Sequence, residues 1–241
     1  MSAQLHIYAD PKLTAEALSR HTLAILEESL SGEGDVSFAV SGGSTPALLF
    51  QKLAESRFKW DRVHLFWVDE RVVPPNDPQS NFRLAEEHFI LPCHFHRRNV
   101  HRVHGEQRPE VAARHYVDEI REFFRLGPGE LPHFDLMHRG IGADAHTASL
   151  FPGEPLIDDR DRIAAAVFIE KLNQWRVTLL PGALLAAHHT AMLACGEDKA
   201  EPVRAVFKEE YNPMKYPAQI VVHHGRRIVW FLDEAAAKYI R

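Results

Sequence analysis

The sequence predicts a doubly wound α/β fold, a mostly parallel sheet with helices on both faces. Short β-branched apolar runs alternate along the chain with stretches of helical period. Those runs lack the polar alternation of a half-exposed strand, as expected when both faces of a sheet are covered. Only short turn clusters separate them, with no repeat, low-complexity tract or long Gly/Ser linker, so residues 1–241 read as a single domain. A chain of 241 residues hides about 70 to 75% of its unfolded surface, enough for an apolar core without disulfides or a structural metal.

The elements follow in order. Asp10 and Pro11 open a helix with apolar positions at Leu13, Ala17, Leu18, Leu23, Leu26 and Leu30, and Gly32 and Gly34 close it. The period then changes: Val36 to Val40 is a strand that stops at Ser41, Gly42, Gly43, Ser44 and Thr45, and Pro46 begins a helix through Ala54. The alternation returns as a strand over 63–68, a loop over 69–79 and helices over 80–89 and 109–126. A strand over 134–138 leads through a glycine turn to a short helix over 146–150, then to strands over 163–169 and 190–195. Helix 199–207, strand 228–232 and helix 233–239 complete the pattern.

Charge narrows the function. Twenty-eight Lys and Arg against 33 Asp and Glu leave −5, which offers no long-range attraction to nucleic acid or an anionic membrane. The 16 histidines would add about 8 charges if half protonated near their ordinary pKa, so no single histidine is informative by itself. The longest clean apolar run, 163–169, is far below the roughly 18 residues of a membrane span. Two cysteines, Cys93 and Cys195, and the lack of a basic start followed by an apolar stretch suggest a cytoplasmic protein. A small substrate is the expected partner.

Ligands of such folds sit at the carboxyl ends of strands. At the first of these, Ser41, Gly42, Gly43, Ser44 and Thr45 combine backbone amides that can approach an anion, hydroxyl donors and a following helix N-terminus, which suits a phosphate. The bland alternative is a tight turn with Thr45 capping the helix. A nucleoside triphosphate is disfavoured, because Gly43 stands where the Walker loop needs lysine before its hydroxyl residue. Asp69 can bind sugar hydroxyls and Arg71 can grip phosphate, with Lys199 a second cation; a solvated ion pair is the alternative for each.

The turn 140–146 admits three readings. Gly140, Gly142 and Ala145 form a degenerate dinucleotide fingerprint, with Glu170 as a ribose contact, but Pro152 and Gly153 stop the helix early and His146 crowds the pyrophosphate position. In a hydrolytic reading, Asp144 fixes the His146 ring and the free nitrogen takes a proton from water. In the third, Asp144 is simply an N-cap and His146 a helix-start residue. Cys93, His94, His96, His101 and His104 crowd one stretch without standard zinc spacing, so no metal is expected.

Taken together, Ser41 to Pro46, Asp69 to Pro74 with Ser80 and Asn81, and Gly140 to Gly153 resemble the ordered signature of 6-phosphogluconolactonases. Arg176 to Leu179, Gly196 to Ala200, Pro217 to Gln219 and Trp230 to Leu232 extend the resemblance over nearly the whole chain. It implies a NagB/RpiA-like domain that hydrolyses the 6-phosphoglucono-1,5-lactone of the pentose phosphate pathway without a cofactor. It further implies that residues 41–45, Arg71 and Lys199 hold the 6-phosphate while Asp144 orients His146 as general base. A glucosamine-6-phosphate deaminase or isomerase, and a non-catalytic sugar-phosphate sensor, are the alternatives. Three departures from the family pattern stand out. Ala145 replaces a common glycine, at a cost of roughly 1 kcal/mol if that backbone is left-handed. His138 and Arg139 occupy a usually apolar strand end, as solvated neighbours of the loop or as substrate contacts. Lys171 lacks its usual flanking prolines and is assigned no role.

Overall fold

A computed structural model describes residues 3–241, and of Ser44 its backbone alone. Ten strands divide between two sheets. The larger has the order β1, β10, β9, β6, β2, β3, β5, and every neighbouring pair in it is parallel. Its strands are β1 (Gln4–Tyr8), β2 (Val36–Val40), β3 (Val63–Trp67), β5 (Val100–His101), β6 (Leu136–Gly140), β9 (His189–Ala194) and β10 (Ile228–Asp233). Every residue of β2 and β10 is buried, which requires cover on both faces.

Helix α1 (Pro11–Ser29) starts as the sequence indicates: Asp10 accepts a 2.8 Å bond from the Leu13 amide and Pro11 occupies the first turn. Leu18, Ile25 and Leu26 face the core, while Leu13 on the same helix is exposed. Helix α4 (Pro109–Phe124) buries Tyr116, whose hydroxyl donates to the Trp67 carbonyl at 2.6 Å and accepts from the Trp67 amide at 2.8 Å. That pair ties the helix to the end of β3, one residue before the site begins.

β2 lies between β3 and β6, so the chain leaves it toward one edge of the sheet, whereas it leaves β6 toward β9 on the other side. The carboxyl ends of β2 and β6 therefore flank a topological switch point, the place where doubly wound sheets open a crevice.

The second sheet departs from expectation. Residues 69–79 were expected as a loop, but Asp69–Arg71 forms β4, paired antiparallel with β8 (Gln174–Leu179), which pairs in turn with β7 (Ala164–Ile169). The apolar run 163–169 therefore belongs to this antiparallel hairpin and not to the parallel sheet. The helix expected over 146–150 is absent: Thr147 and Leu150 form an isolated bridge, because Ala145 and Ala148 both take positive φ, 63° and 53°, which breaks helical geometry. Residues 234–240 form turns and not a helix, with the Asp233 side chain accepting from Ala236 at 2.7 Å and from Gly196 at 2.9 Å. The helix over 80–89 is split into α3 (Asn81–Ala85) and a π-helical turn, Glu86–Ile90. The edge strands β1 and β5 and the six-residue helices α5 (Pro181–Ala186) and α7 (Gln219–His224) are additional.

Candidate active site

Three strand ends and the small sheet enclose one cleft of about 270 Å3. Its first wall is the turn from β2 into α2 (Ser44–Ala54). The helix begins two residues before Pro46 and Gly43 is its N-cap, with no side chain bonded to the first-turn amides, so Thr45 lies inside the helix and does not cap it. Gly43 has φ 127°, a conformation glycine adopts freely. At Gly42 a Cβ would strike the Asn81 side chain, its Cβ 2.9 Å away and its Oδ1 closer still. Ser41 is buried with its hydroxyl unpartnered, beside the uncapped amides. These groups make a cradle of unspent donors at the positive end of a helix dipole.

β4 supplies the second wall. Asp69 is buried, not a free loop carboxylate: its Oδ2 accepts from Ser149 Oγ at 2.7 Å and lies 3.5 Å from an Arg176 guanidinium nitrogen. Arg71 and Arg176 are register partners across the β4–β8 pair, and both line the cleft. Burial, and secondarily Arg71, lowers the Arg176 pKa while Asp69 opposes the change. Behind them Glu70 accepts from the amides of Arg71, Asn81 and Phe82 at 2.7 Å each and from Ser80 Oγ at 3.1 Å. That carboxyl clamps β4 to the start of α3, and burial pushes its pKa up to about 7 against the pull of the amides.

The turn after β6 carries the candidate base. The Gly142 amide donates to the His146 carbonyl at 2.9 Å, and the Ala145 amide to the Gly142 carbonyl at 3.0 Å, closing a tight loop. Ala145 takes φ 63°, so the left-handed backbone that disfavours alanine is present. Asp144 Oδ1 accepts from the His146 amide at 3.2 Å and meets its Nδ1 at 2.6 Å. Asp144 thus grips the imidazole itself rather than capping a helix, leaving Nε2 for other work. The ring stacks on Phe151, centroids 4.0 Å apart and planes 27° apart. A Cβ at Gly142 would overlap the ring.

β9 ends in Leu193 and Ala194, Cys195 follows it, and Lys199 completes the cleft with its ammonium 2.8 Å from Asp198. Burial foremost pushes the Cys195 thiol up to about 12, which leaves it protonated and unsuited to nucleophilic attack.

Ser41, Gly42, Gly43, Thr45, Asp69, Arg71, His146 and Lys199 therefore border one space. Asp144 does not line it and acts from behind His146; the Ser44 side chain lies outside what is described. Arg176 and Asn81 were not assigned roles from sequence, although both stand in motifs quoted above: Arg176 is aimed inward by the β4–β8 pairing of segments about a hundred residues apart, and Asn81 is held by bonds from its amide to Glu70 and from its side chain to the Asp69 carbonyl. His138 and Arg139 are fully buried, not solvated and not on the cleft. Burial lowers His138 to about 3 and Arg139 to about 9, and Arg139 donates to Thr147 Oγ1 at 3.2 Å. The dinucleotide reading fails because no helix follows the 140–146 turn. Among the described residues no three His, Cys, Asp or Glu side chains gather as a metal cluster; His101 instead meets His64 and Glu119, each at 2.8 Å.

The family model described as glucosamine-6-phosphate isomerases/6-phosphogluconolactonase matches residues 9–230. A 6-phosphogluconolactonase of Synechocystis sp. is 30% identical over 242 residues, covering 100% of both chains. One from Nostoc sp. is 33% identical over 89% of this chain and 88% of its own. The solved 6-phosphogluconolactonase of Thermotoga maritima superposes with a TM-score of 0.83 at 28% identity, over 96% of this chain and 99% of that one. On that family match and those identities over the full length, the chain belongs to the glucosamine-6-phosphate isomerase/6-phosphogluconolactonase family.

Proposed function

We propose that the protein hydrolyses 6-phospho-D-glucono-1,5-lactone to 6-phosphogluconate, a step of the pentose phosphate pathway, as one cytoplasmic domain acting on a small phosphorylated lactone with no cofactor, nucleic acid or membrane partner. The relatives named 6-phosphogluconolactonase support the substrate. The observation that carries the mechanism is the Asp144–His146 pair, 2.6 Å apart, which sets His146 on the same cleft as the glycine cradle and the cations Arg71 and Lys199.

In this reading the amides of 41–45, Arg71 and Lys199 take the 6-phosphate, and this remote contact turns the lactone carbonyl toward a water beside His146. His146 Nε2 removes the water proton as the oxygen attacks C1, while Asp144 holds the ring and offsets the charge of the imidazolium. The tetrahedral intermediate collapses by breaking the bond between C1 and the ring oxygen, which takes the proton back from His146. The product carboxylic acid then ionises in water.

The test is acid release from freshly made lactone above its spontaneous rate, with ammonia release from glucosamine 6-phosphate followed in parallel. His146→Gln is expected to lose about 10²- to 10⁴-fold in kcat with KM nearly kept. Arg71→Ala should raise KM by about 30- to 150-fold, corresponding to about 2 to 3 kcal/mol for a charge-assisted contact. Ammonia release without lactone acceleration would overturn the assignment.

A further inference from the structure

We propose that Lys171 is a positioning residue for the base: acting through Asp144, it limits how tightly a proton is held on His146. This rests on His146 being the base. Lys171 lies in the turn between β7 and β8, outside the cleft, on a second cavity of about 630 Å3 that backs onto Asp144. Its ammonium pairs with Asp144 Oδ2, whereas His146 Nδ1 takes Oδ1. The same ammonium stands 4.3 Å from the centroid of Phe151, the ring on which His146 stacks. Lys171 is therefore held at two points, and both are shared with the imidazole, although its own side chain is 51% exposed.

The consequence is electrostatic. A lone carboxylate beside an imidazole favours the protonated ring; with one oxygen already paired to a cation, the carboxylate does so less. The other charges around the imidazole are on different elements. Arg176 of β8 stands 5.6 Å from the Phe151 centroid, Glu154 and Glu170 border the rear cavity, and Asp69, Arg71 and Lys199 line the cleft with His146. Among these only Lys171 touches Asp144. Burial raises the Asp144 carboxyl, but the hydrogen bonds from His146 and Lys171 outweigh it and hold that group well below the usual carboxylate range.

The test is an NMR titration of the His146 ring in the full chain, its signal identified by its loss in His146→Gln. Lys171→Met is expected to move the midpoint up by about half to one pH unit, the size expected for a charge half screened by water. Lys171→Glu should move it further, and Lys171→Arg should restore it. The acid limb of kcat/KM against pH should follow the same order. A midpoint unchanged in Lys171→Met and Lys171→Glu, with both proteins folded, overturns the inference. Failure of the reading on which it rests is distinguishable: His146→Gln would then retain turnover while the ring midpoint still responded to Lys171.

Discussion

Gly142 offers a sharp test of the catalytic turn, because the atoms nearest to a methyl group placed there all belong to the proposed base. The added Cβ would overlap Cε1 and Nδ1 of His146 and lie 2.8 Å from Cγ, where ordinary contact begins near 3.4 Å. The ring must move by on the order of 1 Å, and Phe151 stacked on it and Asp144 at 2.6 Å leave it no neutral direction. A displacement of that size typically costs about 10²-fold in rate. Gly142→Ala should therefore lower kcat on the lactone by about a hundredfold while product affinity, read by inhibition, stays within a few fold. Overpacking adds a stability cost of about 1 to 3 kcal/mol, visible as a lower Tm but short of unfolding. Combining Gly142→Ala with His146→Gln should lose no more activity than His146→Gln alone, since the two changes disable one group. A kcat within about threefold of the unsubstituted protein would refute the geometry, and additive losses would refute its attribution to His146.

Two further outcomes concern stability. His138 is fully buried with neither ring nitrogen hydrogen-bonded, and burial lowers its pKa to about 3. The unfolded chain takes up this proton near pH 6.5 and the folded one does not, so stability present above pH 6.5 is lost as the pH falls toward 3. Between pH 6.5 and 5 this amounts to about 2 kcal/mol, and His138→Leu should remove that much of the loss in urea titrations at the two pH values; equal losses in both proteins would rule the account out. Glu70→Gln places amide hydrogens where three backbone amides and Ser80 already donate, so it should cost about 1 to 3 kcal/mol and raise KM by loosening Arg71. An unchanged Tm would count against the clamp.

The parts of the site visible in the sequence are those where the code is local. At 41–45 the change from a buried apolar run to glycine and hydroxyl residues marks both the end of a strand and the donors it presents. At 140–146 the spacing of Asp144 and His146 allows one to reach the other, alongside the plain helix-cap reading that only the structure set aside. The small sheet was hidden because its pairing is not local: Asp69–Arg71 is too short and too charged to look like a strand until Gln174–Leu179 lies beside it. Arg176 was hidden with it. The expected helix over 146–150 failed for a related reason: an alanine does not announce positive φ, which only the glycine common in the resembled family hinted at for Ala145 and nothing hinted at for Ala148, and the Ala145 carbonyl accepts instead from the distant Ala218 amide at 2.9 Å. Lys171 stayed ambiguous because its meaning depends on Phe151 and Asp144 meeting it from other segments.

The placement of β6 between β2 and β9 has a consequence for folding. The proposed phosphate donors from the first fifth of the sequence and the proposed proton acceptor His146 become neighbours only when that central strand is inserted, so in this reading a partly assembled chain has nowhere for a sugar phosphate to dock. Ligand affinity is then a property of the complete molecule, and occupancy at a hundredfold excess over Kd would raise global unfolding free energy by about 2.7 kcal/mol. Metabolite supply would in this way set the lifetime of the protein against proteolysis as well as its flux.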